Sequence, residues 1–241
     1  MKRIVCKNYE EMSRAGALIM AEQIWSKPDC VLGFSTGSTP VGLYGNLAAM
    51  HEDGALDFSR VTTFNLDEYY PMPKANAQSY YTFMHETLFS RLNVDPARVH
   101  LPDGGAADAG AACDDYERAL AAAGGVDLQL LGIGHNGHIA FNEPADEMPV
   151  RTALVSLTEE TIEANARFFS NSDEVPRHAL SMGMGSILSA RRLLMIISGK
   201  DKAPAVSRLF SGIITTQFPA SLIALHPDVL VLLDEGAAEG L

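Results

Sequence analysis

The sequence predicts an α/β fold: a single Rossmann-like, open and mostly parallel sheet with helices on both faces. Short apolar runs alternate along the whole chain with helical stretches of about ten or more residues, a pattern typical of βαβ units. The chain has 241 residues, of which 47% are hydrophobic and 20% charged, enough to bury a substantial core. Because no repeat, low-complexity tract or linker breaks the pattern, residues 1–241 are expected to form one domain.

The predicted strands are the apolar and β-branched runs of the chain. They cover residues 3–6, 30–34, 61–65, 126–132, 153–157, 193–197 and 229–233. Helical periodicity follows most of them. One predicted helix is capped by Asn8, another resumes at Val41, and others cover residues 79–91, 108–123, 158–169 and a stretch containing Ala203, Val206 and Phe210.

Composition and charge narrow the classes of function. The net charge is −12, so the chain repels nucleic-acid phosphates and anionic membranes, and neither is an expected partner. The longest apolar runs have five residues, far below the roughly 20 needed to cross a bilayer, and no signal peptide is expected. Cys6, Cys30 and Cys113 are isolated, which is typical of reduced thiols. We therefore expect a cytoplasmic protein with a small-molecule ligand, of monomeric or homo-oligomeric state.

Polar residues that follow the strands are the first candidates for function, because ligands of open α/β sheets bind beyond the carboxyl ends of the strands. Residues 35–40 read Ser-Thr-Gly-Ser-Thr-Pro. Thr39 is a suitable N-cap, Pro40 suits the first helical position, and Gly37 lets a ligand approach the backbone. A hydroxyl-rich turn that opens a helix can bind phosphate through its free N–H groups, although an ordinary capped turn has the same pattern.

The same segment contains the pattern G-x-S-x-G at residues 33–37, which is also the nucleophile elbow of α/β-hydrolases. The order of Ser35, Asp67 and His138 matches the triad order of that fold. Only the first strand and the first helix precede the strand that leads to Ser35, whereas that fold builds several strands before its nucleophile. A serine hydrolase therefore stays as an alternative that substitution of Ser35 tests.

Two adjacent carboxylates, Asp67 and Glu68, follow the third predicted strand. Such a pair can transfer protons or bind a metal, and it more often caps a turn. Only one of the two can face a given ligand. The sequence alone leaves both uses open.

The densest polar segment follows the predicted strand at 126–132. Three glycines within six residues predict a tight loop, and the side chains crowded into it are those of His135, Asn136, His138, Asn142 and Glu143. Histidine suits proton transfer at neutral pH, and a nearby carboxylate can fix its tautomer. A zinc site built from His135, His138 and Glu143 is an alternative, but its spacing matches no named metal signature, and no metal is expected.

Two cations could complete a phosphate site. Arg167 lies near the end of a predicted helix, and Lys202 follows the predicted strand at 193–197. Taken singly, each is better explained as a solvated surface charge than as a ligand contact.

Together these segments resemble the glucosamine-6-phosphate deaminase family. The matching blocks occur in the family's order and are residues 35–40, 64–69, 78–84, 132–144, 164–169 and 202–203. The most specific is Gly-His-Ile-Ala-Phe-Asn-Glu-Pro at 137–144. The related 6-phosphogluconolactonases share the fold, but usually have Asp-Glu-Arg at 67–69 and a Gly-His-Thr-Ala-Ser-Leu-Phe-like run at 137–143. The chain resembles the deaminases at both places.

The resemblance implies conversion of glucosamine 6-phosphate and water to fructose 6-phosphate and ammonia, without a metal or an organic cofactor. His138, positioned by Glu143 and Asn136, would open the sugar ring. Asp67 would remove the proton at C2 and deliver one at C1. The phosphate would be bound by Thr36, Gly37, Ser38, Thr39, Arg167 and Lys202.

Two departures from the family pattern carry further expectations. Some members have aspartate at the position of Asn136, whereas an amide can only orient His138 by hydrogen bonding. Allosterically regulated members have basic residues at the positions of Ala153 and Val155 and a longer C-terminal tail. We therefore expect no activation by N-acetylglucosamine 6-phosphate.

Two alternatives within this fold stay open. One is a 6-phosphogluconolactonase. The other is a non-catalytic sugar-phosphate-sensing domain, which is disfavoured because the chain has no basic segment for DNA contact.

Overall fold

The computed structural model describes residues 1–166, 169, 171 and 174–241. Its strands are β1 (Lys2–Cys6), β2 (Val31–Phe34), β3 (Thr62–Asn65), β4 (Asp67–Tyr70), β5 (Val99–His100), β6 (Leu128–Leu131), β7 (Ala153–Ser156), β8 (His178–Ser181), β9 (Arg192–Ile197) and β10 (Val229–Asp234). Its helices are α1 (Tyr9–Ser26), α2 (Val41–Glu52), α3 (Tyr80–Thr87), α4 (Ala109–Ala122), α5 (Glu159–Asn165), α6 (Met184–Leu188), α7 (Ala203–Leu209) and α8 (Glu235–Ala238).

The predicted strands are all present, with bounds within two residues of those expected. The helix predicted over residues 79–91 is divided into α3 and a separate 3-10 turn, Phe89–Arg91. None of the helices in the described residues combines the length and hydropathy that a membrane span requires.

The main sheet has the strand order β1-β10-β9-β6-β2-β3-β5, and all its neighbouring pairs are parallel. The predicted open, mostly parallel sheet is therefore confirmed. From β2 the chain builds towards β5, and from β6 it builds in the opposite direction through β9 to β10. The order reverses between β2 and β6, where the loops beyond the carboxyl ends diverge and leave room for a ligand.

Each face of the main sheet has its own apolar core, because successive side chains of a strand point to opposite faces. Val31 and Val231 pack on the face covered by α4, α6 and α7. Their neighbours Leu32 and Leu232 pack on the other face, against α1 and α2. Helices therefore cover both faces, as predicted, and burial on both sides explains why the strands read as continuous apolar runs.

A smaller sheet, which the sequence did not predict, has three antiparallel strands in the order β4-β8-β7. β4 begins one residue after β3 ends, with only Leu66 between them. Asp67 and Glu68, which were expected to follow a strand, instead begin a strand of their own that pairs with β8. Leu66 therefore joins the two sheets, and Asp67 lies at their junction.

The starts of two helices test the predicted capping residues. At α1, Asn8 Oδ1 accepts the N–H of Glu11 at 2.9 Å, as predicted. The prediction that Thr39 caps α2 is wrong. The cap residue of α2 is Pro40, and among the described residues no side chain makes a capping hydrogen bond there. Because Thr39 is not used as a cap, its hydroxyl is available to the cleft described below.

A largely buried carboxylate ties the small sheet to α4. Glu117 Oε1 accepts the N–H and hydroxyl of Thr152 at 2.7 and 2.6 Å and the hydroxyl of Ser186 at 2.7 Å. Arg151 Nε lies 3.7 Å from its Oε2. Burial acts to raise the pKa of Glu117, but these hydrogen bonds and the charge of Arg151 outweigh it and lower the pKa below its usual range. Glu117 therefore holds both the start of β7 and helix α6.

We expect Glu117→Ala to lower the free energy of unfolding by about 2–4 kcal/mol, because buried polar groups of Thr152 and Ser186 lose their acceptor. The folded state lowers the pKa of Glu117, so this deficit is complete above about pH 4.3 and shrinks as the pH falls further. Denaturant unfolding at pH 7 and pH 3 measures both effects. Glu52→Ala is the control, since Glu52 forms an exposed ion pair with Arg91 and should matter little. Equal losses in the two variants would contradict the assignment.

Candidate active site

A cleft of about 400 Å³ opens beyond the carboxyl ends of β2, β3, β6 and β9, at the point where the strand order reverses. The predicted site residues that line it are Thr36, Gly37, Ser38, Thr39, Asp67, Asn136, His138 and Lys202. Glu143 lies behind His138, in contact with its ring. Arg167 lies outside the described residues. The segments that follow four separate strands therefore meet around one cavity.

The adjacent carboxylates Asp67 and Glu68 have different surroundings, because neighbouring side chains of β4 point to opposite faces. Asp67 is 6% exposed and lines the cleft. Glu68 is 2% exposed and accepts the N–H groups of Tyr69 and Tyr80 at 2.9 Å and of Tyr81 at 3.0 Å. Glu68 therefore binds the start of α3, and Asp67 is the carboxylate that faces a ligand.

Burial raises the pKa of both carboxyl groups. Loss of hydration raises the pKa of Asp67 to about 8, and the charge of Glu68 adds to this shift. Burial also raises the pKa of Glu68, to about 7, although its three N–H donors and Lys74 act in the opposite direction. A carboxyl group with a pKa near neutrality can take up and release a proton under working conditions, as a general base must.

The loop after β6 is tight because two of its positions have no room for a side chain. A Cβ on Gly134 would lie 2.4 Å from the ring of His138, and one on Gly137 would lie 2.1 Å from the ring of Phe218. Gly137 also has a φ of +89°, which favours glycine. Gly134 therefore allows the imidazole of His138 to lie directly against the loop backbone, and Gly137 leaves room for the ring of Phe218.

A turn after His138 brings Glu143 back towards the loop. Asn142 Nδ2 donates to the carbonyls of Ile139 at 2.9 Å and Met182 at 2.8 Å, which holds the turn closed. Ala140 lies inside it with a φ of +54°. That conformation costs a non-glycine residue roughly 1–2 kcal/mol and persists where surrounding contacts impose it, often at functional sites.

Glu143 joins the polar side chains of the site. Its Oε2 accepts a hydrogen bond from Asn136 Nδ2 at 2.7 Å and lies 3.3 Å from His138 Nδ1. Its Oε1 accepts the hydroxyl of Thr161. Burial acts to raise the pKa of Glu143, but these three partners, His138 foremost, lower it below its usual range. The ionised carboxylate favours a proton on His138 Nδ1, which leaves Nε2 as a proton acceptor.

Asn136 acts on His138 less directly than the sequence suggested. Its Oδ1 accepts the backbone N–H of His138 at 3.1 Å, while its Nδ2 binds Glu143. The amide therefore holds the loop backbone and the carboxylate, and it orients the imidazole through Glu143.

Lys202 enters the cleft from the turn after β9. Its Nζ lies 3.4 Å from His135 Nδ1, and His135 Nε2 lies 2.7 Å from Asp201 Oδ2. His135 therefore pairs with Asp201, whereas His138 pairs with Glu143. This arrangement does not support the alternative zinc site: within the described ranges, no three His, Cys, Asp or Glu side chains group as metal ligands.

The hydroxyl-rich turn after β2 is held from below by α1. The Tyr9 hydroxyl donates to the carbonyl of Ser38 at 3.3 Å and accepts the N–H of Gly42 at 2.8 Å. Gly37 has a φ of +106°, and a Cβ there would meet open space, so the conformation rather than crowding favours glycine. Ser35 Oγ is buried without a hydrogen-bond partner among the described residues, whereas a serine nucleophile needs an adjacent base.

Several residues that line the cleft were not among the predicted site residues, and Tyr80 and Thr161 are two of them. Tyr80 lies in a block that resembles the family, so its position was available as a signal, but nothing in its spacing indicated a role. Nothing in the sequence indicated that Thr161 belongs to the site, because its hydrogen-bond partner Glu143 lies 18 positions away and on a different element.

Comparison with known proteins identifies the family of the chain. Residues 8–231 match a family model described as glucosamine-6-phosphate isomerases/6-phosphogluconolactonase. The chain belongs to this family. It is 52% identical over 238 residues, 99% of each chain, to a glucosamine-6-phosphate deaminase of Halothermothrix orenii.

Solved structures of the family confirm the fold. A monomeric glucosamine-6-phosphate deaminase is 46% identical, with a TM-score of 0.97 and complete coverage of both chains. A 6-phosphogluconolactonase from Trypanosoma cruzi is 22% identical, with a TM-score of 0.79, and the alignment covers 100% of this chain and 96% of the other. The second likeness shows the shared fold alone.

We expect Asp67→Asn to stabilise the fold. The folded state raises the pKa of Asp67 to about 8, so the wild-type free energy of unfolding falls as the pH rises from about 4 to 8 and is level above that. The amide removes this penalty, which at pH 7 is roughly 1–4 kcal/mol. Denaturant unfolding at pH 5, 7 and 9 should show a gap that widens with pH.

The control for this measurement is Asp57→Asn. Backbone N–H of Ser59 and the amide of Asn93 lower the pKa of the exposed Asp57, so its loss should give a small effect of opposite sign. An Asp67→Asn protein that is less stable than wild type at pH 8 would show that Asp67 is not destabilised by burial.

Proposed function

We propose that the chain is a glucosamine-6-phosphate deaminase, which converts glucosamine 6-phosphate and water to fructose 6-phosphate and ammonia. The observation that carries this proposal is the position of Asp67 in the same cleft as the His138–Glu143 pair. The reaction needs one proton transfer between oxygens and another between carbons, and the two groups match these needs. Likeness over the full chain to two proteins named for this activity supports the same choice.

The first chemical step opens the sugar ring. The anomeric hydroxyl loses a proton, the bond between C1 and the ring oxygen breaks, and the ring oxygen gains a proton. We assign this transfer to Nε2 of His138, whose Nδ1 faces Glu143 at 3.3 Å. An ionised Glu143 stabilises the imidazolium that forms while the proton is carried.

The second step moves a proton between carbons. In the open-chain aldehyde the hydrogen on C2 is acidic. Asp67 removes it while one proton of the substrate's ammonium group passes to O1, which gives an enol that carries a neutral amino group on C2. Asp67 then returns the proton to C1, which leaves a protonated imine at C2. Water adds to C2, ammonia leaves, and the ketone of fructose 6-phosphate forms. The raised pKa of Asp67 makes it a stronger base than an ordinary carboxylate.

The phosphate is assigned to the turn after β2 and to nearby cations. Thr36, Gly37, Ser38 and Thr39 offer hydroxyl and backbone donors, and Lys202 supplies a positive charge at the same cleft. Arg167 is included from its family block alone. Such local donors outweigh the field of a chain with net charge −12, because distant charges are screened beyond about 8–10 Å.

The remaining parts of the proposal concern the whole chain. The steps above are proton transfers and hydration, so they use neither a metal nor an organic cofactor. We infer that residues 1–241 act as one domain in the cytoplasm, in line with the three buried free thiols. The solved relative is monomeric, and we extend that state to this chain.

The direct test is ammonia release. Wild-type protein should release ammonia from glucosamine 6-phosphate and should not hydrolyse 6-phosphogluconolactone. Asp67→Asn should lower kcat by about 10²–10⁴-fold with little change in KM, because a general base is lost while binding groups remain. His138→Gln should slow the reaction mainly at ring opening, and Ser35→Ala should lose only modest activity.

Each alternative has its own outcome in these assays. Lactone hydrolysis without ammonia release would replace the proposal by a 6-phosphogluconolactonase. Complete loss of activity in Ser35→Ala would favour the serine hydrolase. Binding of sugar phosphate without turnover would favour a sensing domain, and near-wild-type turnover of Asp67→Asn would show that Asp67 is not the base.

We expect hyperbolic kinetics without activation by N-acetylglucosamine 6-phosphate. β7 carries Ala153 and Val155 where the regulated members have basic residues, and a second anion site is difficult to build without those cations. Initial rates against substrate concentration, with and without the acetylated sugar phosphate, measure this. A sigmoidal curve that the acetylated compound makes hyperbolic would contradict the expectation.

A further inference from the structure

A chain of hydroxyl groups connects α5 to Glu143. The Thr158 hydroxyl lies 3.1 Å from the Thr161 hydroxyl and donates to it, and the Thr161 hydroxyl donates to Glu143 Oε1. The other carboxylate oxygen, Oε2, is occupied by Asn136 and His138. One oxygen of Glu143 is therefore held by its own loop, and the other by a separate helix.

The direction of these hydrogen bonds is set by the partners. An ionised carboxylate only accepts, so the single proton of the Thr161 hydroxyl points to Glu143. The oxygen of Thr161 is then free to accept from Thr158. Thr158 Oγ1 also caps α5 by accepting the N–H of Thr161 at 3.2 Å. The same two residues thus begin the helix and orient the carboxylate.

The hydroxyl of Thr161 has a use that packing alone does not explain. Thr161 is 4% exposed, and its neighbours Leu157 and Ile162 belong to an apolar cluster. At such a position valine would fill the same space without a polar atom to bury. The structure instead has a hydroxyl there, directed at the carboxylate that contacts His138.

The helix that carries Thr161 also forms part of the cleft wall. Glu160, Thr161 and Asn165 line the cleft, and Arg167 follows two residues later in the sequence. A sugar phosphate in the cleft therefore adjoins the same helix that holds Glu143. The hydrogen bond from Thr161 to Glu143 therefore links the position of α5 to the orientation of the carboxylate.

We propose that Thr161 is a positioning residue for ring opening: its hydroxyl holds Glu143 in the orientation in which the carboxylate contacts His138 and supports proton transfer by the imidazole. This inference rests on the proposed deaminase function. A positioned hydrogen bond to a charged group changes a rate by about 10- to 100-fold, and we expect an effect of that size.

The test compares Thr161→Val with Thr161→Ser. Valine keeps the shape and removes the donor, so kcat for ammonia release should fall about 10- to 100-fold with KM little changed. Serine keeps the donor and should remain near wild type. The second measurement uses glucosamine 6-phosphate deuterated at C2. If ring opening becomes limiting in Thr161→Val, the isotope effect on kcat should shrink towards unity, because the bond to C2 no longer breaks in the slowest step.

The matched control is Thr82→Val in α3. Ser79 caps α3, and its hydroxyl lies 3.0 Å from that of Thr82, so the pair has the same spacing as Thr158 and Thr161. Thr82 donates to the carbonyl of Lys74 instead of a catalytic carboxylate. Its valine variant should keep wild-type kcat and isotope effect. Thermal unfolding checks that each variant is folded, and Thr161→Ala replaces Thr161→Val if the latter does not fold.

Three results would overturn the inference. They are a wild-type kcat in Thr161→Val, a serine variant as slow as the valine variant, and a lower kcat with an undiminished isotope effect, which indicates a general structural defect. Wild-type protein that releases no ammonia would overturn the proposed function itself, and the inference with it. The wild-type assay thus separates the two failures.

Discussion

The interaction on which the site depends is the set of hydrogen bonds to the Glu143 carboxylate. Its two oxygens join the glycine-rich loop, through Asn136 and His138, to helix α5, through Thr161. Both the left-handed backbone at Ala140 and the amide of Asn142 serve to return the chain to this point. A buried carboxylate without such donors would be neutral, and a neutral acid would not stabilise an imidazolium. The left-handed backbone at Ala140 and the clustered polar side chains of the loop therefore both serve to position the Glu143 carboxylate.

Asp67 and Glu68 show how one short strand can give identical chemical groups opposite uses. The alternation of side chains along β4 directs Glu68 to the N–H groups at the start of α3 and Asp67 to the cleft. The N–H donors of Glu68 partly offset the burial that raises its pKa to about 7, whereas burial and the charge of Glu68 raise the pKa of Asp67 to about 8. The fold thus tolerates a destabilised group at the position where a base is useful, a common compromise in active sites.

Much of the site was predictable because it follows from the topology of a parallel sheet. Once the strands are recognised, their carboxyl ends must share one edge, so the turn after β2, Asp67, the loop after β6 and Lys202 must meet. Contacts between remote segments were not predictable. β4 pairs with β8 across more than a hundred residues, and Thr161 reaches Glu143 only through the placement of α5. The N-cap of α2 was predicted wrongly at Thr39 because threonine suits a capping position. In the structure the helix begins one residue later, so Pro40 is the cap residue.

The net charge of the whole chain affects a ligand over longer distances than the polar and charged groups that line the cleft. Lys202 follows β9 and Asp67 follows β3, which are three strand spacings apart, about 14 Å. The two side chains therefore enter the cleft from strands that are not neighbours, and Asp201 and His135 lie beside Lys202. A small sugar phosphate contacts only the hydroxyl groups, N–H groups and cation of the cleft, whereas a long polyanion meets the net charge of −12 over its whole length. The same acidic composition that disfavours nucleic acid is thus compatible with a bound sugar phosphate, because only the local donors contact it.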